Sequence, residues 1–210
     1  MRSWYRLNID VSDAVAKDFK LGYPPEPGIP QIGQGIYLLR PDSKTSNRIL
    51  SPEWKSNLLT TIRAVPTAEV IVFVTPLDAV YEYAHVDLNP EGTRVHPYGL
   101  NWVEFYEDSR DILWYQKPEE KNLHSETSLV GNTYQLTKPT DETVVDQCRI
   151  GKQLTLFRTD IPHRVDLPVS QANRFRVAIS IRPYIPEIET WEDAVEHFRP
   201  FMINDLMVTN

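Results

Sequence analysis

Two side chains able to bind a metal stand two residues apart in "YEYAHVDLNP", residues 81–90: these are His85 and Asp87. The stretch reads as the end of a β-strand. Side chains at positions i and i+2 of a strand leave the same face, so these two groups are expected to point together. An imidazole and a carboxylate that converge on one point could hold a metal ion.

A metal site of this kind needs a third ligand, and the chain has four further histidines. We predict structural or solvated roles for His197, in a helical segment, His96, in a turn, and His124, in a charged loop. His163 differs, because in "LFRTDIPHRVDLP" the chain leaves one apolar segment through Pro162 and enters another. His163 is therefore the candidate for the third ligand.

An arginine-bearing strand follows His163. Alternation in "NRFRVAISIRP" puts four apolar residues on one face, and on the other Arg174, Arg176, Ala178 and Ser180. One or two arginines would then point into the interior of the fold. An unpaired charge there is energetically unfavourable unless an anion binds to it. The planar fork of a guanidinium suits a carboxylate, so we expect a dicarboxylic acid there.

The elements that position these residues are mostly strands. Runs rich in aromatic and β-branched residues predict seven of them: "AEVIVFVT", "AVYEYAHVD", "YGLNWVEFY", "DILWYQKP", "TYQLT", "RIGKQLTLFR" and "RFRVAISIRP". The 17 prolines are spread through every third of the sequence, as in folds made of short strands and many turns.

Helices are predicted on both sides of the strands. Ser51 would cap a helix in "SPEWKSNLLTTIRAV", and Thr190 would cap one in "TWEDAVEHFRPFM", with Asp193 completing a variant of the capping box. A short helix capped by Ser12 or Asp10 is predicted in "DVSDAVAKDFK", and a loop in "PPEPGIPQIGQG". The pattern predicts a mainly β fold with flanking helices, a jelly roll.

Length, charge and cysteine content narrow the class of protein. We predict one domain over 1–210, with helical and loop support in 1–68, a β core in 69–183 and a helical segment in 184–210. A net charge of −7 without a basic run argues against nucleic acid or an anionic membrane as the main partner. Cys148 is the only cysteine, and we predict a buried residue in a cytoplasmic protein.

The order of four of these residues resembles that in the Fe(II)- and 2-oxoglutarate-dependent oxygenase superfamily. His85-x-Asp87 is followed some 78 positions after His85 by His163, and then by Arg176 in "RVAIS". "HVD", "LNWVEFY" followed by "DILWY", and "IPHRV" before "RVAIS" look like the matching strands of its prolyl-hydroxylase-like and phage-encoded members. The resemblance covers roughly residues 70–182 and implies a double-stranded β-helix, which is a cupin-like jelly roll.

The resemblance also implies roles. His85, Asp87 and His163 would be the catalytic facial triad that binds Fe(II) and leaves positions open for 2-oxoglutarate and O₂. Arg176, rather than Arg174, would bind the distal carboxylate of 2-oxoglutarate, and Asn101 in "YGLNW" would contact the same co-substrate.

One position departs from the family pattern. A hydroxyl residue often stands two positions after the family's arginine, whereas this chain has Ala178. The hydroxyl that assists Arg176 would then have to come from Ser180 or from a tyrosine such as Tyr98 or Tyr115.

The implied reaction couples decarboxylation of 2-oxoglutarate to hydroxylation of a C–H bond in a peptidyl side chain, an amino acid or a small metabolite. Two alternatives remain open. One is a cupin-like metalloenzyme that does not need Arg176. The other is a non-catalytic β-sandwich, in which His85 and Asp87 only bond to each other and Arg176 pairs with Asp160 or Glu104.

Overall fold

The computed structural model describes most, but not all, of the chain. The described residues are 2–15, 31–32, 36–39, 50–66, 68–76, 83–88, 97–105, 111–119, 124–127, 133–138, 143–166 and 175–203. His96 and Arg174 lie outside these ranges.

Within this part of the chain, strands dominate. In chain order they are β1 (Trp4–Arg6), β2 (Gln31–Ile32), β3 (Ile36–Leu39), β4 (Ala68–Pro76), β5 (Ala84–Asp87), β6 (Tyr98–Phe105), β7 (Asp111–Tyr115), β8 (His124–Thr127), β9 (Thr133–Thr137), β10 (Val144–Arg149), β11 (Thr155–Arg158), β12 (His163–Val165) and β13 (Phe175–Pro183). The prediction of a mainly β chain is confirmed.

The strands form two antiparallel sheets. The larger sheet has seven strands in the order β1-β11-β6-β13-β4-β3-β2, and the smaller has six in the order β10-β7-β12-β5-β9-β8. The central strand β13 pairs with β4 along its whole length, from Phe175 opposite Pro76 to Pro183 opposite Ala68.

The alternation predicted for β13 separates two cores. Val177, Ile179 and Ile181 are fully buried on the outer face of the larger sheet, in a cluster that includes residues from both helices. Ala178 belongs to a second cluster, which joins residues of both sheets, among them Trp114. The second cluster includes Cys148, which is 3% exposed, so its predicted burial is confirmed.

The two flanking helices begin where their capping residues predict. α1 (Pro52–Thr61) is capped by the Ser51 hydroxyl, which accepts a hydrogen bond from the Trp54 amide. α2 (Trp191–Phe198) has a capping box between Thr190 and Asp193 and is followed by a short 3-10 turn (Arg199–Phe201). No helix among the described residues is long and apolar enough to span a membrane.

The N-terminal predictions need correction. Residues 11–15 form a turn rather than the start of a helix, because the Asp10 carboxylate accepts from both the amide and the hydroxyl of Ser12 and closes the chain locally. Residues 16–20 of that predicted helix lie outside the described part. Two residues of the predicted loop, Gln31 and Ile32, form β2.

Two predictions near the smaller sheet were also wrong in detail. "RIGKQLTLFR" is not one strand, since β10 ends at Arg149 and β11 begins at Thr155. His124 does not lie in a loop but begins β8, which is an edge strand with an exposed His124 side chain.

Candidate metal centre

The three predicted metal ligands meet on the smaller sheet. His85 and Asp87 lie on β5, and His163 begins β12 directly opposite His85. The centroids of the two imidazole rings are 4.4 Å apart. Each of the three residues offers a ligand atom within 4.8 Å of the other two. The structure therefore brings together the whole predicted triad.

The orientation of His163 is fixed by its own backbone neighbourhood. Its Nδ1 lies 3.0 Å from the carbonyl oxygen of Ile161. A carbonyl can only accept a hydrogen bond, so Nδ1 carries the proton and Nε2 is left with its lone pair. This is the arrangement that metal-binding histidines commonly use, and His163 is 4% exposed.

Backbone hydrogen bonds hold the segment before His163 against the two strands beside it. The Asp87 amide donates to the Thr159 carbonyl at 3.1 Å, and the Tyr115 amide donates to the Pro162 carbonyl at 2.9 Å. These bonds fix the position of β12 against both of its neighbours in the sheet.

The two carboxylate oxygens of Asp87 face different groups. Oδ1 lies 3.5 Å from Nε2 of His85, whereas Oδ2 accepts a hydrogen bond of 2.5 Å from Nη2 of Arg182. Burial would raise the pKa of Asp87, but Arg182 and the two histidines outweigh it and lower the pKa to about 2. Asp87 is therefore ionised at neutral pH and can bind a cation.

Arg182 contacts the predicted triad through Asp87, although the sequence pattern did not single it out. It lies on β13, where its Nη1 donates to the Ser180 hydroxyl at 2.5 Å and its guanidinium carbon lies 4.9 Å from the Phe157 ring centroid. Gly99 leaves room for it, since a Cβ there would overlap Nη1 of Arg182. Following the alternation one pleat past Ser180 would have placed Arg182 on the face that carries the site.

Asn101 lies where a co-substrate contact was predicted. On β6 it stands directly opposite Ser180 of β13 and Thr155 of β11, so these side chains share one face. Asn101 is 8% exposed, and its Oδ1 is buried without a hydrogen-bond partner among the described residues. Since buried polar atoms are nearly always hydrogen-bonded, this amide is suited to a bound polar ligand.

Of the three candidate hydroxyls, Ser180 is the one that lies at the site. The Tyr98 hydroxyl donates to the Pro183 carbonyl at 2.8 Å, and its ring packs against Phe198 on the helix side. The Tyr115 ring lies against Arg164, on the opposite side of β7 from the buried Trp114.

The remaining predicted residues fall into two groups. Arg176 lies on β13 opposite Thr75, but its side chain is outside the described part, so its role stays a prediction. Asp160, one of the alternative partners considered for Arg176, is bound by Arg158 through contacts of 2.5 and 3.0 Å. His197 is structural, as predicted, because its Nε2 lies 2.8 Å from the Ile62 carbonyl.

The environment of the two histidines determines the pH dependence that is expected for metal binding. A solvated histidine would compete with protons near pH 6.5. Burial lowers the pKa of His163, and burial together with His163 lowers that of His85, whose side chain is 35% exposed. Both imidazoles then stay neutral, and able to bind metal, below their usual pKa.

We therefore expect metal affinity to stay nearly constant from about pH 8 to about pH 6.5 and to fall only at a pH below the ordinary pKa of histidine. Anaerobic titration with Co(II) at several pH values, with circular dichroism to verify folding, measures this. A fall centred at about pH 6.5 would contradict the lowered pKa values of the two imidazoles.

Comparison with known proteins adds no relative: no family model matches the chain, and no curated protein matches it.

Proposed function

We propose that this protein is an Fe(II)- and 2-oxoglutarate-dependent dioxygenase that hydroxylates a C–H bond. The observation that carries the proposal is the convergence of two imidazoles and one carboxylate within 4.8 Å, on paired strands. Two histidines and one carboxylate on one side of an ion are the donor set of non-haem Fe(II) oxygenases.

The order of the strands supports a double-stranded β-helix as the fold. Along the chain, β4, β6, β11 and β13 join the larger sheet, whereas β5, β7, β10 and β12 join the smaller one. Eight strands that pass between two facing antiparallel sheets are the framework of a jelly roll. The hairpin of β8 and β9 extends the smaller sheet beyond β5, next to the triad.

The donor atoms of the site fit Fe(II). Nε2 of His163 is left unprotonated by the bond at Nδ1, and Asp87 is ionised, so two of the three ligands are already in the form that binds a metal. When bound, Fe(II) supplies the activation of O₂ and the decarboxylation of 2-oxoglutarate to succinate and CO₂.

The chain's own residues would bind and orient the co-substrate. Asn101 presents a buried amide on the face that also carries Ser180. The alternation of β13 predicts this same face for Arg176, whose guanidinium would bind the distal carboxylate of 2-oxoglutarate. Ser180, on the same strand, is the hydroxyl closest in sequence to assist it.

The substrate would be a small molecule or a peptide. The net charge of −7 disfavours nucleic acid, and we keep the cytoplasm as the expected compartment, without a membrane partner.

The proposal predicts that protein purified without oxygen and loaded with Fe(II) converts 2-oxoglutarate to succinate when O₂ is admitted. Succinate comes from the co-substrate whichever C–H bond is attacked, so its formation can be measured in a screen of candidate substrates. Metal binding without 2-oxoglutarate binding or turnover would favour the cupin-like metalloenzyme. Absence of metal binding would favour the non-catalytic β-sandwich.

A further inference from the structure

Asp87 has one oxygen directed to the ligand cluster and one directed away from it. Oδ1 is the oxygen near Nε2 of His85, at 3.5 Å, while Oδ2 is bound by Arg182. A carboxylate that offered both oxygens to the ion would fill one more coordination position than a carboxylate that offers one.

Arg182 is held at this oxygen from several sides. Its side chain is 9% exposed, lies over the Phe157 ring and donates to Ser180, and Gly99 provides the space beneath it. A guanidinium with this many contacts cannot swing away from Asp87 at low cost, because buried charges without partners are strongly unfavourable.

The geometry points to Arg182 as a positioning residue: it retains Oδ2 of Asp87, so that this carboxylate binds the metal through Oδ1 alone. This inference rests on the proposed function, because it matters only if an ion occupies the triad. One-oxygen binding leaves three positions of an octahedral ion open, which a two-oxygen ligand such as a 2-oxo acid and one further small ligand can fill.

The test compares wild type with Arg182→Met, which removes both the charge and the donors. The probe is Mn(II), and the readout is the enhancement of water proton relaxation, which scales with the number of water molecules on the ion. We expect Arg182→Met to bind Mn(II) still but to lose about one third of this enhancement, as Oδ2 replaces one of three waters.

A second probe is oxalate, a two-oxygen ligand without a distal carboxylate. Its affinity for the Mn(II) protein should fall about tenfold or more in Arg182→Met, in the range typical of losing a hydrogen-bond partner of a metal ligand.

Gly99→Ala tests the position of the Arg182 guanidinium without removing its charge. It keeps Arg182 but places a methyl group where the guanidinium lies, so both readouts should move in the same direction as in Arg182→Met. It also tests the positioning role of Arg182 if Arg182→Met fails to fold. Arg164→Met is the matched control, since Arg164 neighbours His163 but contacts Tyr115 on the opposite face, and it should behave as wild type.

Wild-type water count and oxalate affinity in both Arg182→Met and Gly99→Ala would overturn the role of Arg182. If these variants change as expected but the wild type never binds or turns over 2-oxoglutarate, the proposed function fails and the positioning role stands. If the wild type binds no Mn(II), both fail.

Discussion

Replacing His163 with alanine is expected to abolish stable metal binding. Two of the three ligand side chains would remain, and because His163 is 4% exposed, its truncation removes a donor from the buried part of the site. The loss should exceed the roughly 10- to 100-fold decrease that follows removal of a mere hydrogen-bond partner of a ligand. Iron content after anaerobic loading and gel filtration measures it, and His85→Ala should behave alike.

His124 provides the matched control for this experiment. It belongs to the same sheet, two strands from His85 through the shared partner Leu136, but it is exposed and contacts Tyr83 instead of the triad. His124→Ala should therefore keep the iron content of the wild type. The triad is wrong if His163→Ala and His85→Ala also keep it.

Two members of the triad could be predicted from the sequence because their placement depends on short-range geometry. The spacing of His85 and Asp87 fixes their common face, and β5 keeps that spacing. The pairing of His163 with His85 is a long-range contact that no periodicity specifies. It was predicted because His163 stood out among the histidines and because its order along the chain resembled a known superfamily.

Long-range contacts also explain why Arg182 was not predicted. β13 carries two arginines, Arg176 and Arg182, six positions apart, and alternation predicts one face for both without saying which of them meets a ligand carboxylate. The selection of Arg182 depends on the room left by Gly99 of β6 and on the stagger of β5 against β13, both of which are tertiary properties.

Edge strands were also predicted less accurately than the central strands. The two edge strands of the smaller sheet are β8, with the sequence "HSET", and β10, with the sequence "VVDQCR". Most of their residues are polar. Such segments bury little, so their composition resembles that of loops. The strands β4, β6 and β13 were predicted nearly to the residue because each carries a row of buried apolar or aromatic side chains at alternate positions, which is a clear strand pattern.

Arg176→Ala is expected to weaken 2-oxoglutarate binding severely while leaving metal binding intact. If this guanidinium binds the distal carboxylate, its removal strips the co-substrate of a charge-assisted, two-point contact. Truncating one partner of a buried, hydrogen-bonded charge pair costs about 2–5 kcal/mol, which corresponds to a loss in affinity of roughly 30-fold or more. Anaerobic titration of the Mn(II) protein with 2-oxoglutarate measures this.

Two substitutions calibrate that result. Arg176→Lys should recover only part of the lost affinity, since one ammonium cannot reproduce the planar fork. Arg174→Ala should have a smaller effect, because Arg174 stands one pleat further from the "AIS" segment of the strand.

Comparing 2-oxoglutarate with oxalate then separates the two ends of the co-substrate site. Arg176 should affect only the ligand that has a distal carboxylate, whereas Arg182 should affect both ligands through Asp87. If Arg174→Ala abolished 2-oxoglutarate binding and Arg176→Ala did not, the arginine assignment would move by one pleat. If the wild type bound oxalate but not 2-oxoglutarate, the metal centre would remain and the oxygenase would give way to a cupin-like metalloenzyme, because an open metal site needs no arginine to bind a short chelator.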